Sequence, residues 1–123
     1  MKPRVSVVAA AALVLAGCSS ASAAGAMDCK AIQTAYASAL QDAQSCDLAS
    51  PDSCSATRPW APQDVCRCTV AVNPARTAEL DRLLAQFQAQ ACPRNRGVCN
   101  RLCVAPAHRC AAGAGSSPTC TGS

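Results

Sequence analysis

The chain has 123 residues, with 11 Cys, 8 Pro, one each of Trp, Tyr and Phe, and a formal net charge of +4. One domain usually takes roughly 100–200 residues, so a multidomain enzyme is excluded. The hydrophobic fraction of 50% comes mostly from Ala and Cys, which argues against a conventional core of large aliphatic side chains.

In chain order, Lys2 and Arg4 make a short positive start, and Val5 to Leu15 follows as an almost wholly apolar run of eleven residues. A bilayer span needs about 20 such residues, so the run fits the apolar region of an export signal. It ends in Leu15-Ala16-Gly17-Cys18. An apolar residue, two small residues and a Cys at this place resemble the lipobox of bacterial lipoproteins. The resemblance covers residues 1–18. It implies that the Cys18 thiol takes a diacylglyceryl group and that cleavage leaves the lipidated Cys first. Ser19 rather than Asp follows, which resembles the outer-membrane sorting pattern of Gram-negative lipoproteins. The competing reading is ordinary secretion, because Ala21-Ser22-Ala23 and Ala24-Gly25-Ala26 are both small-x-small cleavage sites. Residues 1–17 are therefore expected to be a lipoprotein signal peptide, 18–27 the lipidated Cys with a flexible tether, and 28–123 a single disulfide-rich domain.

From Cys18 onward there are 106 residues, of which 13 are Leu, Ile, Val or Phe. That share is too low to stabilise a fold by burial alone. Ten Cys remain: Cys29, Cys46, Cys54, Cys66, Cys68, Cys92, Cys99, Cys103, Cys110 and Cys120. Such density marks a disulfide scaffold, and an exported compartment is oxidising enough to pair them. Five bridges at roughly 2–4 kcal/mol each would replace the missing core as the main constraint.

Cys29, Ile32, Tyr36, Leu40 and Ala43 recur at helical spacing, predicting a helix over 28–46 with Asp28 as N-cap. Residues 47–63 hold Pro51, Pro59 and Pro62 and read as a loop. Trp60 within it is expected to plug the small core, with ligand stacking as the alternative. Residues 65–72 alternate and predict a short extended segment. Asn73-Pro74 opens a second helix striped by Leu80, Leu83, Leu84, Phe87 and Ala91, and Cys92-Pro93 closes it. Residues 94–123 read as irregular, with a loop at Gly113–Pro118. The predicted fold class is a small, disulfide-rich, mainly α domain: an antiparallel helical hairpin, a short extended segment and an irregular cysteine-rich tail. An antiparallel pair brings Cys29 near Cys92 and Cys46 near Cys66 or Cys68. Cys66 and Cys68 would take different partners, such as Cys46 and Cys54, leaving Cys99, Cys103, Cys110 and Cys120 to close a tail knot.

Zinc sites usually need two closely spaced Cys pairs. Only Cys99 and Cys103 approach that spacing, beside the lone His108, so structural disulfides are expected and no metal or cofactor. Redox catalysis commonly uses Cys-x-x-Cys. The chain offers Cys66-Arg67-Cys68 instead, read as two structural bridges. His108 has no orienting carboxylate nearby in sequence, and Glu79 and Asp81, two apart on a helix, face solvent. No catalytic residue is therefore assigned. Charge is more informative: residues 18–81 carry a balance of −3, and residues 82–123 carry +5 from Arg82, Arg94, Arg96, Arg101 and Arg109 with no acid. Such a segment reads first as a solvated surface, with contact to anionic headgroups or polyanionic envelope polymers as the alternative, and the absence of aromatic interleaving argues against nucleic acid. Cys92-Pro-Arg-Asn-Arg-Gly-Val-Cys99 loosely resembles the reactive loops of small serine-protease inhibitors, with Arg94 and Arg96 as the interaction residues. The leading expectation is a non-enzymatic structural or binding module in the bacterial cell envelope, anchored in the outer membrane. The alternatives are a secreted form and an inhibitor-like interaction protein.

Overall fold

The computed structural model describes residues 27–112 and 117–121. The expected signal peptide over 1–17, Cys18 and Ser19–Ala26 lie outside the described residues, as does 113–116. The elements in order are α1 (Cys29–Ala43), β1 (Ala56–Pro59), β2 (Thr69–Val72), a 3-10 turn (Pro74–Arg76), α2 (Ala78–Ala89), β3 (Arg109–Ala111) and β4 (Thr119–Thr121).

Helix α1 starts where Asp28 accepts the Ala31 amide at 2.7 Å, satisfying one of the orphan donors of its first turn. Ile32, Tyr36, Leu40 and Ala43 form its buried stripe. Asn73 caps the 3-10 turn by accepting from the Ala75 amide at 3.0 Å. It also ties that turn to the end of α1, donating its backbone amide to Ala43 O at 2.7 Å and its carboxamide to Ser45 O. Leu80, Leu83 and Phe87 of α2 pack on the α1 stripe with Val72 and Cys92, forming the main core.

The end of α2 shows why the chain turns there. Ala91 takes φ 50°, its amide donates to Gln88 O, and the Cys92 amide donates to Phe87 O, both at 3.0 Å. This is the paired hydrogen-bond pattern of a helix closed by a left-handed residue, a place where Gly is usual. The turn delivers Cys92 to Cys29, and the bond between them has a Cα–Cα distance of 5.5 Å.

The expected mainly α hairpin is corrected by two small antiparallel sheets. Strand β1 lies inside the segment read as a loop and pairs with β2, from Ala56 opposite Val72 to Pro59 opposite Thr69. Pro59 is tolerated because it sits at the strand's end, where a missing N–H costs little. The extended segment expected over 65–72 is confined to Thr69–Val72, since residues 65–68 turn tightly before it. The tail is not wholly irregular: β3 pairs with β4, placing Cys110 opposite Cys120. β4 docks on the chain leaving α1, where the Cys120 amide donates to Gln44 O and the Cys46 amide donates to Pro118 O. Three-residue strands carry no readable alternation, which is why sequence pattern misses them.

All ten cysteines of the domain are paired: Cys29–Cys92, Cys46–Cys110, Cys54–Cys120, Cys66–Cys99 and Cys68–Cys103. The first matches the antiparallel helices. Cys66 and Cys68 do take different partners, but these are Cys99 and Cys103, and Cys46 and Cys54 reach β3 and β4 instead. The tail therefore forms no knot of its own. Each of its four cysteines staples it to an earlier part of the chain. Five disulfides place the domain in an oxidising compartment, extracellular or in a cell envelope.

Candidate binding surface

Residues 93–106 carry no helix or strand, and Cys92, Cys99 and Cys103 fasten them to three points of the scaffold. The Asn95 amide adds a fourth tie, donating to Gln63 O at 2.9 Å. Gly97 takes φ 133°, a backbone state that residues with a side chain rarely adopt, so it bends the segment before Val98 and Cys99.

The receiving side is built around Asp64. This carboxylate is buried and accepts the Cys66 amide at 3.2 Å and the Cys68 amide at 3.0 Å. Arg101 closes on it at 2.8 Å. Burial alone would raise the Asp64 pKa. The two amides and the Arg101 guanidinium outweigh it and hold the carboxyl below its ordinary range. Arg67 between the two cysteines takes φ 54°, which curls the turn so that both amides reach one carboxylate. The close Cys66-Arg67-Cys68 spacing thus serves a capped turn that splits two bridges, and both sulfurs are spent in disulfides.

Arg101 also lies over Trp60, with its guanidinium carbon 4.8 Å from the ring centroid, a cation–π contact. Trp60 is not the core plug expected: it lies outside both core clusters and is 46% exposed. It lines a shallow groove of about 250 Å³ with Val70, Arg101, Leu102, Cys103 and Val104. The stapled segment leaves its large apolar side chains in solvent: Val98 is 87% exposed, Leu102 94% and Val104 65%. Arg94 and Arg96 are exposed and make no ion pair among the described residues. Arg82 is instead paired with Glu79, and Arg58 with Asp81.

Sequence reasoning singled out the arginines but missed Asp64 and the apolar residues beside them. A signal for the latter existed. Val98, Leu102 and Val104 each adjoin a cysteine, and in an extended chain neighbouring side chains point to opposite sides, so Cys99 and Cys103 bridged inward leave these three outward. The remaining chemistry-bearing groups are engaged elsewhere. His108 sets its Nδ1 2.8 Å from Cys54 O. The sulfurs of Cys46, Cys54 and Cys110 lie within 4.8 Å of one another, but all are in disulfides and offer no thiolate to a metal. No helix among the described residues is long and apolar enough to cross a membrane. The chain matches no protein-family model, and it has no significant match among curated proteins or solved structures.

Proposed function

We propose that the chain is an exported, lipid-anchored envelope protein whose disulfide-stapled domain is a non-enzymatic binding module. The observation that carries this reading is the segment 93–106. Three bridges hold Arg94, Arg96, Val98 and Leu102 outward on a fixed backbone. Exposing large apolar side chains costs solubility, and rigid presentation lowers the entropy lost on binding. The anchor rests on Leu15-Ala16-Gly17-Cys18, whose resemblance to a lipobox puts the diacylglyceryl group on Cys18 and, through Ser19, the protein in the outer membrane. A binding rather than catalytic role is supported by the acid at this surface: Asp64 is already engaged by Arg101 and by the Cys66 and Cys68 amides. Fractionation of cells tests the anchor: the protein is expected in the membrane pellet, and Cys18→Ser is expected to abolish the lipid-dependent fraction. Recovery of the unaltered protein in the medium alone would refute it.

A second reading is favoured by one geometric fact. The Arg94–Arg96 stretch is exposed and bridged at both ends, Cys92 to Cys29 and Cys99 to Cys66. That is the preorganisation an inhibitor loop needs. An inhibitor would slow trypsin at stoichiometric concentration and survive intact. Rapid cleavage after Arg94 or Arg96 without inhibition eliminates this reading.

A further inference from the structure

The exposed apolar residues of 93–106 need an apolar partner, and the neighbouring arginines need an anionic one. A polysaccharide polyanion would satisfy Arg94 and Arg96 and leave Leu102 wet. The interfacial zone of an anionic bilayer satisfies both at once: Trp and aliphatic side chains sit at headgroup depth while Arg holds phosphate bidentately. The ion pairs agree, since Arg94 and Arg96 have none among the described residues, whereas Arg82 and Arg101 are already held by Glu79 and Asp64.

Chain connectivity supplies the second argument. Helix α1 begins at Cys29, and Cys29 is bonded to Cys92, the root of the segment. The point where the chain from Cys18 enters the domain is therefore next to the point where the segment leaves it. Eight residues, Ser19–Ala26, separate Cys18 from Met27. Cys18 and Met27 are thus nine steps apart, and at no more than about 3.6 Å per step the reach is at most about 32 Å, so the domain cannot leave the bilayer surface by much more than its own width. Arg94 and the Asp64 turn lie together beside Leu84 and Gln88 near the end of α2, on the tether's side, and the segment runs on from there past Trp60 and Val70. The other two bridges, Cys46–Cys110 and Cys54–Cys120, gather at the far end of α1.

We infer that segment 93–106, with Trp60, is a membrane-docking surface for the anionic leaflet that holds the chain's own lipid. Arg94 and Arg96 bind phosphate headgroups, and Leu102, Val98 and the Trp60 edge enter the interfacial zone. This rests on the anchor reading above and deepens it. One lipid and one basic patch act as two signals, and together they fix the domain's orientation as well as its location.

Trp60 is the chain's one Trp, so it reports the docking directly. The native lipidated protein is reconstituted into phosphatidylcholine vesicles, with or without phosphatidylglycerol, carrying brominated acyl chains. Trp60 emission is expected to be quenched at least twofold in the anionic vesicles, with high salt relieving it. Val98→Ser with Leu102→Ser, and separately Arg94→Ser with Arg96→Ser, are expected to remove most of the quenching. These positions are exposed, and alkylation without reduction checks that all five bridges are intact in each variant. Unquenched Trp60 on a chain whose mass shows the Cys18 lipid overturns the docking surface alone. A chain without lipid overturns the anchor and this inference together. Equal quenching in neutral vesicles overturns the headgroup role. Unquenched Trp60 with a protein retained through Leu102 reassigns the surface to a protein partner.

Discussion

Cys29 and Cys92 are 63 residues apart in sequence, and their bond joins the first residue of α1 to the turn that closes α2. It pins the two helices in register and fixes the root of the exposed segment in a single step. Closing so long a loop restricts the unfolded chain strongly. Replacing both by Ser is expected to cost about 4 kcal/mol. Urea unfolding followed by Trp60 emission measures it. A loss under about 1 kcal/mol would mean that the other four bridges already impose the same constraint.

Asp64 is the polar hub that receives the segment. Its folded pKa lies below its unfolded value, so its contribution is fully present above about pH 4. That contribution is lost as pH falls through the depressed folded pKa. Asp64→Asn is expected to cost about 2 kcal/mol at neutral pH. It should also flatten the acid limb of the stability–pH profile. An unchanged acid limb would mean that Asp64 does not hold the turn and Arg101 together.

Tyr36, the chain's one Tyr, is buried in the core and donates to Pro59 O at 2.6 Å, joining α1 to the end of β1. Burial pushes its pKa up to about 12. Arg58 opposes the rise, and Asp81 adds to it. Because the folded pKa exceeds the unfolded value of about 10, the contribution is present below pH 10 and fades as pH rises towards 12. Ultraviolet titration of the phenolate should show one late transition. A transition near pH 10 in the folded protein would contradict the burial. Tyr36→Phe is expected to cost about 1 kcal/mol by deleting the bond to Pro59.

Ala91 occupies a left-handed conformation that costs a residue with a Cβ roughly 1–2 kcal/mol. Ala91→Gly is therefore expected to stabilise the protein by about 1 kcal/mol, read as a raised Tm. A lowered Tm would show that the Ala methyl makes a compensating contact. By contrast, Leu83→Ala, in the centre of the helix pair, is expected to cost about 2–5 kcal/mol.

These residues also show what the sequence makes legible. The stripe Ile32, Tyr36, Leu40 and Ala43 and its partner Leu80, Leu83 and Phe87 announce themselves by helical spacing. Asp28 announces its cap by residue type, whereas Asn73, read as opening the second helix, caps a separate 3-10 turn, and α2 begins at Ala78 after Thr77 with no side-chain cap. The Cys29–Cys92 bond follows from the helices being antiparallel. The other four bridges do not follow. Two of them depend on β3 and β4, strands of three residues whose pairing is set by tertiary contacts with Gln44 and Ser45. The other two depend on where the irregular segment 93–106 is laid against the Asp64 turn. Strand β1 is hidden by Pro59 at its end and by Pro51 and Pro62 around it, and the hub at Asp64 by a turn geometry that residue type does not reveal. The arginines of the candidate surface are visible as a charge imbalance. Their apolar neighbours become meaningful only once the bridges show that Val98 and Leu102 have nowhere to be buried.

The proposed anchor at Cys18 and the fully bridged domain belong to one molecule. The intact mass of the protein from its native membrane fraction, before and after alkylation without reduction, tests both together. The expected result is one species beginning at Cys18, carrying a diacylglyceryl mass and taking up no alkylating reagent. A species lacking the lipid, or one with two or more alkylated thiols, would contradict it.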